Sequence, residues 1–346
     1  MRSPHAPLTL PFLRRVLPTV RSKTWRLRSV RLEETLDHPP HRVLFASLVY
    51  ELPDHCLPRV IRIVAKVYPT ADGGDRSLYA LRALWAAGFK SPSRLRVPRP
   101  LAYVSTARLL LQARAPGATW SAALQSGRAA SATAAARAAT WLVRFQRTPV
   151  PAERLRGDAD AVAARRAARE LLAAFPRALA RIRPVLEELA DRVGARESPL
   201  VPSHGGYHPD NVLLSSRITT VVDFDKFALR EAAFDVGYAI GRLLLMSYLQ
   251  SGSLNLGARA ATSFWRAYER AGIASRPRVN LQTARFLLQS LHFDLCDIRN
   301  GRVDLLDIWP PLIERLVYTD ADVGVVLEPV LASNRSRGMP VGRAPA

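Results

Sequence analysis

The 346-residue chain is short of lysine, of acid, of cysteine and of early glycine. Its lysines are Lys23, Lys66, Lys90 and Lys226, so the net charge of +21 comes almost wholly from arginine. Cys56 and Cys296 are the only cysteines. Their separation excludes a disulfide framework or a cysteine-rich metal site, and both are expected as reduced thiols in a cytoplasmic protein. No glycine precedes Gly73, which excludes a glycine-rich phosphate loop ahead of that point. No glutamate lies between Val67 and Ala152, where the acids are Asp72 and Asp75. Long apolar runs are missing too: the best, Val236 to Leu249, is interrupted by Arg242 and is too short to span a bilayer. The apolar stretch from Leu8 to Leu13 is broken by Arg14 and Arg15, with no small-residue cleavage site after it, so no leader is expected.

What is present is a 48% hydrophobic composition, enough to bury a core, in a length that favours two lobes over one. The basic surface would attract nucleotides, nucleic acid or anionic membrane, but a solvated arginine-rich exterior accounts for it equally well. The arginine-rich residues 162 to 184 lack the interleaved aromatics that stack bases, which argues against nucleic acid. From Trp25 to Tyr68 the pattern is strand-like, with Arg42 to Leu52 and Val60 to Tyr68 as antiparallel neighbours. Asp72-Gly73-Gly74-Asp75 opens a helix through Leu78, Leu81, Leu84 and Trp85, and two strands follow at Leu101 to Val104 and Arg108 to Gln112. After Ala115-Pro116-Gly117 the chain turns helical: Ala129 to Phe145, Ala159 to Val193, Val236 to Leu249, Ala260 to Ala271, Leu281 to Cys296 and Leu305 to Val317. The implied fold class is α+β, with residues 1–112 as a strand-rich lobe, 113–117 as a hinge, 118–332 as a helical lobe and 333–346 as a disordered tail.

The segment Ser203 to Asp225, SHGGYHPDNVLLSSRITTVVDFD, concentrates the chemistry. Asn211 offers an amide oxygen and Asp223 a carboxylate, a hard-oxygen pair suited to Mg2+, and Asp225 could add a second carboxylate. Two short strands, Val212 to Leu214 and Ile218 to Val222, would form a hairpin between them. Lys66 lies inside an apolar strand, where its ammonium needs an anion or solvent. Each residue singly has a plain alternative: an edge-strand lysine, an Asn-capped turn, an Asp at a strand end. His204 and His208 are four apart, but Gly205, Gly206 and Pro209 argue against a helix that would turn that spacing into a zinc site.

Taken together these residues resemble the aminoglycoside phosphotransferase and choline kinase family, a branch of the protein-kinase-like fold. The family writes its catalytic loop His-Gly-Asp-x-His-x-x-Asn, matched here by His204, Gly205, Gly206, Tyr207, His208 and Asn211. Its metal-binding segment is matched by Val222, Asp223, Phe224 and Asp225, and Ala233 to Gly237 resembles the segment whose acid, here Asp235, steadies the catalytic loop. The resemblance implies a two-lobed protein-kinase-like fold in which Lys66 meets the nucleotide phosphates, and Gln112, Ala113 and Arg114 of the hinge Leu109 to Gly117 meet the nucleotide. Asn211, Asp223 and Asp225 would hold Mg2+. ATP or GTP is the implied co-substrate, and a small hydroxylated molecule the implied acceptor.

Two departures from the family pattern stand out. Gly206 occupies the place of the catalytic base, so the resemblance implies either slow phosphotransfer or an inactive pseudokinase that binds nucleotide or a partner. Ser77 occupies the place of the helix glutamate that fixes the lysine, which would leave Lys66 loosely held. The residues from Glu34 to His41, stiffened by Pro39-Pro40, are the expected cover of the phosphates. The acids Asp294, Asp297, Asp304 and Asp307 have two readings, recognition of a cationic acceptor or surface pairing with Arg299, Arg302 and Arg315, and the second is favoured.

Overall fold

The computed structural model describes residues 8–17, 25–38, 41–52, 57–151, 159–195 and 200–327. Cys56, Pro39-Pro40 and the tail lie outside them. In chain order the strands are β1 (Arg26–His38), β2 (His41–Glu51), β3 (Arg59–Val67), β4 (Leu95–Arg96), β5 (Pro100–Val104), β6 (Leu109–Ala113), β7 (Ala118–Thr119), β8 (Leu200–Ser203), β9 (Val212–Ser215), β10 (Ile218–Val221) and β11 (Ala228–Glu231). The helices are α1 (Leu10–Val16), α2 (Ala71–Ala86), α3 (Trp120–Gln125), α4 (Arg128–Gln146), α5 (Ala159–Ala174), α6 (Arg183–Gly194), α7 (Ala233–Ser251), α8 (Asn255–Glu269), α9 (Arg276–His292) and α10 (Trp309–Val317). They form two compact units, Met1–Ala118 with Leu213–Phe227, and Thr119–Val212 with Ala228–Ala346. The hairpin that carries Asp223 therefore groups with the N-terminal sheet, although more than ninety residues separate them in sequence.

The first unit is built on an antiparallel sheet in the order β1-β2-β3-β6-β5. Side chains on a strand alternate between faces, so Ile63 and Ala65 of β3 enter a core with Leu13, Leu27, Ala46, Leu48, Leu109 and Leu111. Each large apolar side chain buried there contributes about 2 kcal/mol. The same alternation puts Arg62, Val64 and Lys66 on the opposite face. The period of the strand thus separates the core from the chemistry. Helix α2, which packs against β5 and β6, begins at Ala71, so Gly73 and Gly74 lie inside it rather than before it.

The second unit is helical, with α7 packed on α8 and α9, α4 on α8, α5 on α6 and α10 on α9. Gly237 lets α7 and α9 approach closely, because a Cβ there would stand 2.6 Å from the Gln282 backbone. The expected single helix from Ala159 to Val193 is two helices, since Pro176 and Pro184 cannot continue the backbone hydrogen-bond ladder. The expected Leu305–Val317 helix is likewise divided into a 3-10 turn, Val303–Asp307, and α10, which starts on Trp309-Pro310-Pro311. Arg278, 1% exposed, ties α9 to β11 by donating from Nε (2.9 Å) and Nη2 (2.7 Å) to Glu231 Oε2. No helix among the described residues is long and apolar enough to cross a membrane.

Candidate active site

In the first unit, Lys66 leaves the sheet on the face away from the core, and its Nζ lies 2.5 Å from Asp223 Oδ1 and 2.5 Å from Asp225 Oδ2. The hairpin of β9 and β10 makes this possible: it turns at Ser216, in the left-handed region at φ 34°, and ends just before Asp223. Asp223 is itself left-handed at φ 72°, a conformation that costs a non-glycine residue energy and that accumulates at functional sites. Burial alone would push the Lys66 ammonium down, but Asp223 and then Asp225 outweigh it and hold its pKa above the usual lysine value. The lysine is not loose. Helix α2 lacks the glutamate, and the hairpin supplies the acids instead.

Asp225 has further partners. Its Oδ1 accepts from Tyr68 Oη at 2.8 Å and from Ser77 Oγ at 2.7 Å, and its carbonyl accepts from Arg76 at 3.4 Å. Burial, followed by the charge of Asp225, pushes the Tyr68 phenol far up, so it remains a donor. His41, the first residue of β2, reaches to 3.8 Å from Asp225 Oδ2, and burial together with Lys66 lowers its pKa. His41 and Tyr68 were not singled out from the sequence. A weak signal existed for Tyr68, which lies two residues past Lys66 and so shares its side of an extended chain.

The hinge residues follow β6. Ala113 N–H donates to Arg99 O and Arg114 N–H to Arg62 O, both at 2.9 Å, so these two donors are engaged within the unit. Gln112 pairs with Val64 and with Pro100 in the sheet register. The Arg114 guanidinium lies 4.8 Å from the Phe45 ring centroid and donates to Glu33 at 2.7 Å. Glu33 also accepts from Ser47, the main cause of its lowered pKa, and it sits where the β1–β2 register shifts.

In the second unit the loop His204–Asn211 is held by its backbone. Strand β8 pairs with β11 up to Ser203, and Gly205 then adopts φ 78°, a turn that favours glycine. The Asp235 carboxylate accepts from His204 N–H at 2.7 Å and from Gly205 N–H at 2.9 Å. The sequence places a helix start at Val236. Helix α7 instead starts at Ala233, and the Asp235 carboxylate is given over to the loop. Complete burial pushes its pKa up despite those bonds and the nearby His204.

Tyr207 anchors the loop from the other side: it is fully buried, stacks 5.9 Å from Trp141 and donates to Ala138 O at 2.8 Å. Asn211 Nδ2 donates to Gly206 O at 3.1 Å and stands 3.0 Å from His208 Nε2, which leaves the amide oxygen as its outward-going group. Asp210 lies 3.4 Å from His208 Nδ1, and hydrogen bonds from His208 and Ser121 hold its pKa at about 2. A Cβ built at Gly206 would meet only His204 Nδ1, at 3.9 Å.

The structure thus brings Lys66, Asp223 and Asp225 together in one unit, and His204, Gly206, His208, Asn211 and Asp235 together in the other. Asp294, Asp297 and Asp304 of the last helices are engaged locally. Asp294 accepts from Asn300 at 2.8 Å, Asp297 lies 3.4 Å from His292, and Asp304 accepts from Arg302 and from Tyr248. Of the expected arginine partners only Arg302 takes part in these contacts.

The family model described as the phosphotransferase enzyme family (APH) matches residues 52–280. No curated protein matches the sequence. Among solved structures, a choline/ethanolamine kinase family protein from Mesorhizobium loti is 16% identical, with 86% of this chain and 92% of that chain covered and a TM-score of 0.54. A thermostable mutant of the aminoglycoside phosphotransferase APH(4)-Ia, in ternary complex with ADP and hygromycin B, is 14% identical over 89% of this chain and 98% of that one, with a TM-score of 0.58. The spectinomycin phosphotransferase APH(9)-Ia, in complex with ADP and spectinomycin, is 11% identical over 90% and 96%, with a TM-score of 0.51. At these identities the likenesses establish the fold, an α+β protein-kinase-like architecture.

Proposed function

The chain belongs to the phosphotransferase enzyme family, and from that premise we propose that it binds a nucleoside triphosphate with Mg2+ and transfers the terminal phosphoryl group to a hydroxyl of a small molecule. The observation that carries this reading is the half-buried Lys66 ammonium, kept charged by Asp223 and Asp225 on the face of β3 opposite Ile63 and Ala65. In the transfer, the acceptor oxygen forms the new P–O bond and the bond to the diphosphate breaks. The nucleoside diphosphate leaves, and the hydroxyl proton passes to solvent. Lys66 would offset the charge that develops on the phosphate oxygens.

Asp223 fits Mg2+: it offers a carboxylate 39% exposed, a hard-oxygen donor of the kind the ion prefers. When bound, the ion would neutralise charge on the phosphates. The solved relatives in complex with ADP motivate the nucleotide.

Gly206 favours a second reading, a nucleotide-binding module that transfers nothing. Asp210 does not replace the missing base, since its pKa of about 2 makes it a weak proton acceptor. General base catalysis is worth about 10² to 10⁴ in rate, against kinase turnover of about 1 to 100 per second, so the first reading predicts slow transfer. Thermal shift with millimolar ATP, with and without Mg2+, followed by nucleotide turnover, separates the two. Mg2+-dependent stabilisation with turnover that disappears in Asp223→Ala and accelerates in Gly206→Asp supports the enzyme. Stabilisation without turnover in either the native chain or Gly206→Asp supports the module, and absence of any shift defeats both.

A further inference from the structure

Protein-kinase-like sites need their lysine held by an acid, and at the place where helix α2 would carry a glutamate it carries Ser77, which is buried to 1% exposure and faces the hairpin. The two hairpin carboxylates around Lys66 are unequal. Asp225 is 15% exposed, and a carboxylate oxygen has two acceptor sites. Those of Oδ1 are taken by the Tyr68 and Ser77 hydroxyls, and Oδ2 faces the ammonium, with His41 beyond. Asp223 is 39% exposed and held in a left-handed backbone that turns it out of the strand.

We propose that Asp225 is the positioning residue for Lys66, oriented by Ser77 and Tyr68 in place of a helix glutamate, and that Asp223 is the only one of the two carboxylates available to a cation. This deepens the proposed function and rests on it. A cation reaching Asp225 would have to displace two hydroxyl donors or the lysine. A cation reaching Asp223, the more exposed carboxylate, leaves Lys66 held by Asp225. Ser77 then contributes at second hand what a glutamate would contribute directly. Helix α2 still communicates with the lysine, through a hydroxyl and the hairpin.

The first test needs no nucleotide. With only four lysines in the chain, the rate at which an amine-reactive acetylating reagent modifies Lys66 can be read by peptide mass spectrometry against Lys90 and Lys226. Ser77→Ala should raise Lys66 labelling about tenfold, the factor that one lost hydrogen bond to a charged group amounts to, with the reference lysines unchanged. Unchanged Lys66 labelling would overturn the positioning role.

The second test uses Mn2+ as a paramagnetic probe with AMP-PNP, and ADP in EDTA as the metal-free probe. Asp225→Asn should weaken ADP binding in EDTA about tenfold and leave Mn2+ affinity of the nucleotide complex within about twofold, whereas Asp223→Asn should do the reverse. Loss of Mn2+ affinity in Asp225→Asn defeats the assignment. If Asp225→Asn does not fold, Ser77→Ala carries the same comparison with a smaller loss. A native chain that binds neither ADP nor AMP-PNP would sink the proposed function, while native binding with the two variants exchanged would sink only this inference.

Discussion

The lysine cluster of the first unit and the His204–Asn211 loop of the second solve the same problem by different means. Around Lys66 the groups that matter are side chains: an ammonium, two carboxylates and two hydroxyls, each placed by its own strand, hairpin or helix. Around His204 the groups that matter are backbone N–H donors, gathered by one fully buried carboxylate from α7. A side-chain cluster can exchange partners when a ligand arrives. A loop held by its backbone keeps its path whatever its exposed side chains are. That contrast accounts for how a glycine can stand at position 206 without disturbing the loop, and for why a serine at position 77 can stand in for an acid only with help from elsewhere.

The sharpest way to break the comparison is Asp235→Ala. It leaves two buried N–H groups without acceptors, and the expected loss is about 4 kcal/mol in urea unfolding, with His204–Asn211 amide exchange accelerated first. Lys66→Met should cost less, about 2 kcal/mol, because Asp223 is partly solvated and can shed its unpaired charge to water. Its larger effect falls on nucleotide-dependent thermal stabilisation, which should vanish.

Acid should separate the two regions further. The folded pKa of Asp210, about 2, lies below the ordinary value of 3.8. Its stabilisation is therefore present above that ordinary value and is lost as pH falls from about 4 towards 2. The carboxylate is 43% exposed, so solvent screening limits the contribution to about 1 kcal/mol. Asp210→Asn should flatten the pH dependence of unfolding in that window; an unchanged profile would show that the loop does not depend on this charge. The smallest effect is expected from Gly206→Asp. The space around a Cβ is open and Gly206 does not need a left-handed backbone, so unfolding should change by less than about 1 kcal/mol. A larger loss would mean that the loop is less independent of its side chains than its backbone bonds imply.

Much of this was legible before any coordinates. The strand period around Lys66, the turn residues between Leu214 and Ile218, and the order His-Gly, Asn, Asp-Phe-Asp already implied the α+β protein-kinase-like fold. The division of residues 159–193 at Pro176 is masked in the sequence, because the alanine-rich pattern on both sides of it is continuously helical. The partners of Lys66 were not legible either. Ser77 could be aligned with a missing glutamate, but its hydroxyl reaches Asp225 rather than the lysine, and nothing in the spacing of residues 77 and 225 reports a 2.7 Å contact. His41 and Tyr68 carry no motif at all.

Local order along the chain determined which residue types were available: a lysine in a strand whose neighbours alternate into the core, an asparagine and two aspartates flanking a hairpin, and a glycine where a base would stand. Those follow from backbone geometry, which acts over a few residues and is therefore written in short patterns. Tertiary structure alone decided which carboxylate is locked and which is exposed, and that helix α2 acts through a hydroxyl. Hydrogen bonds between side chains depend on distances of a few ångströms between segments far apart in sequence, and those distances exist only once the sheet, the hairpin and the helices have packed.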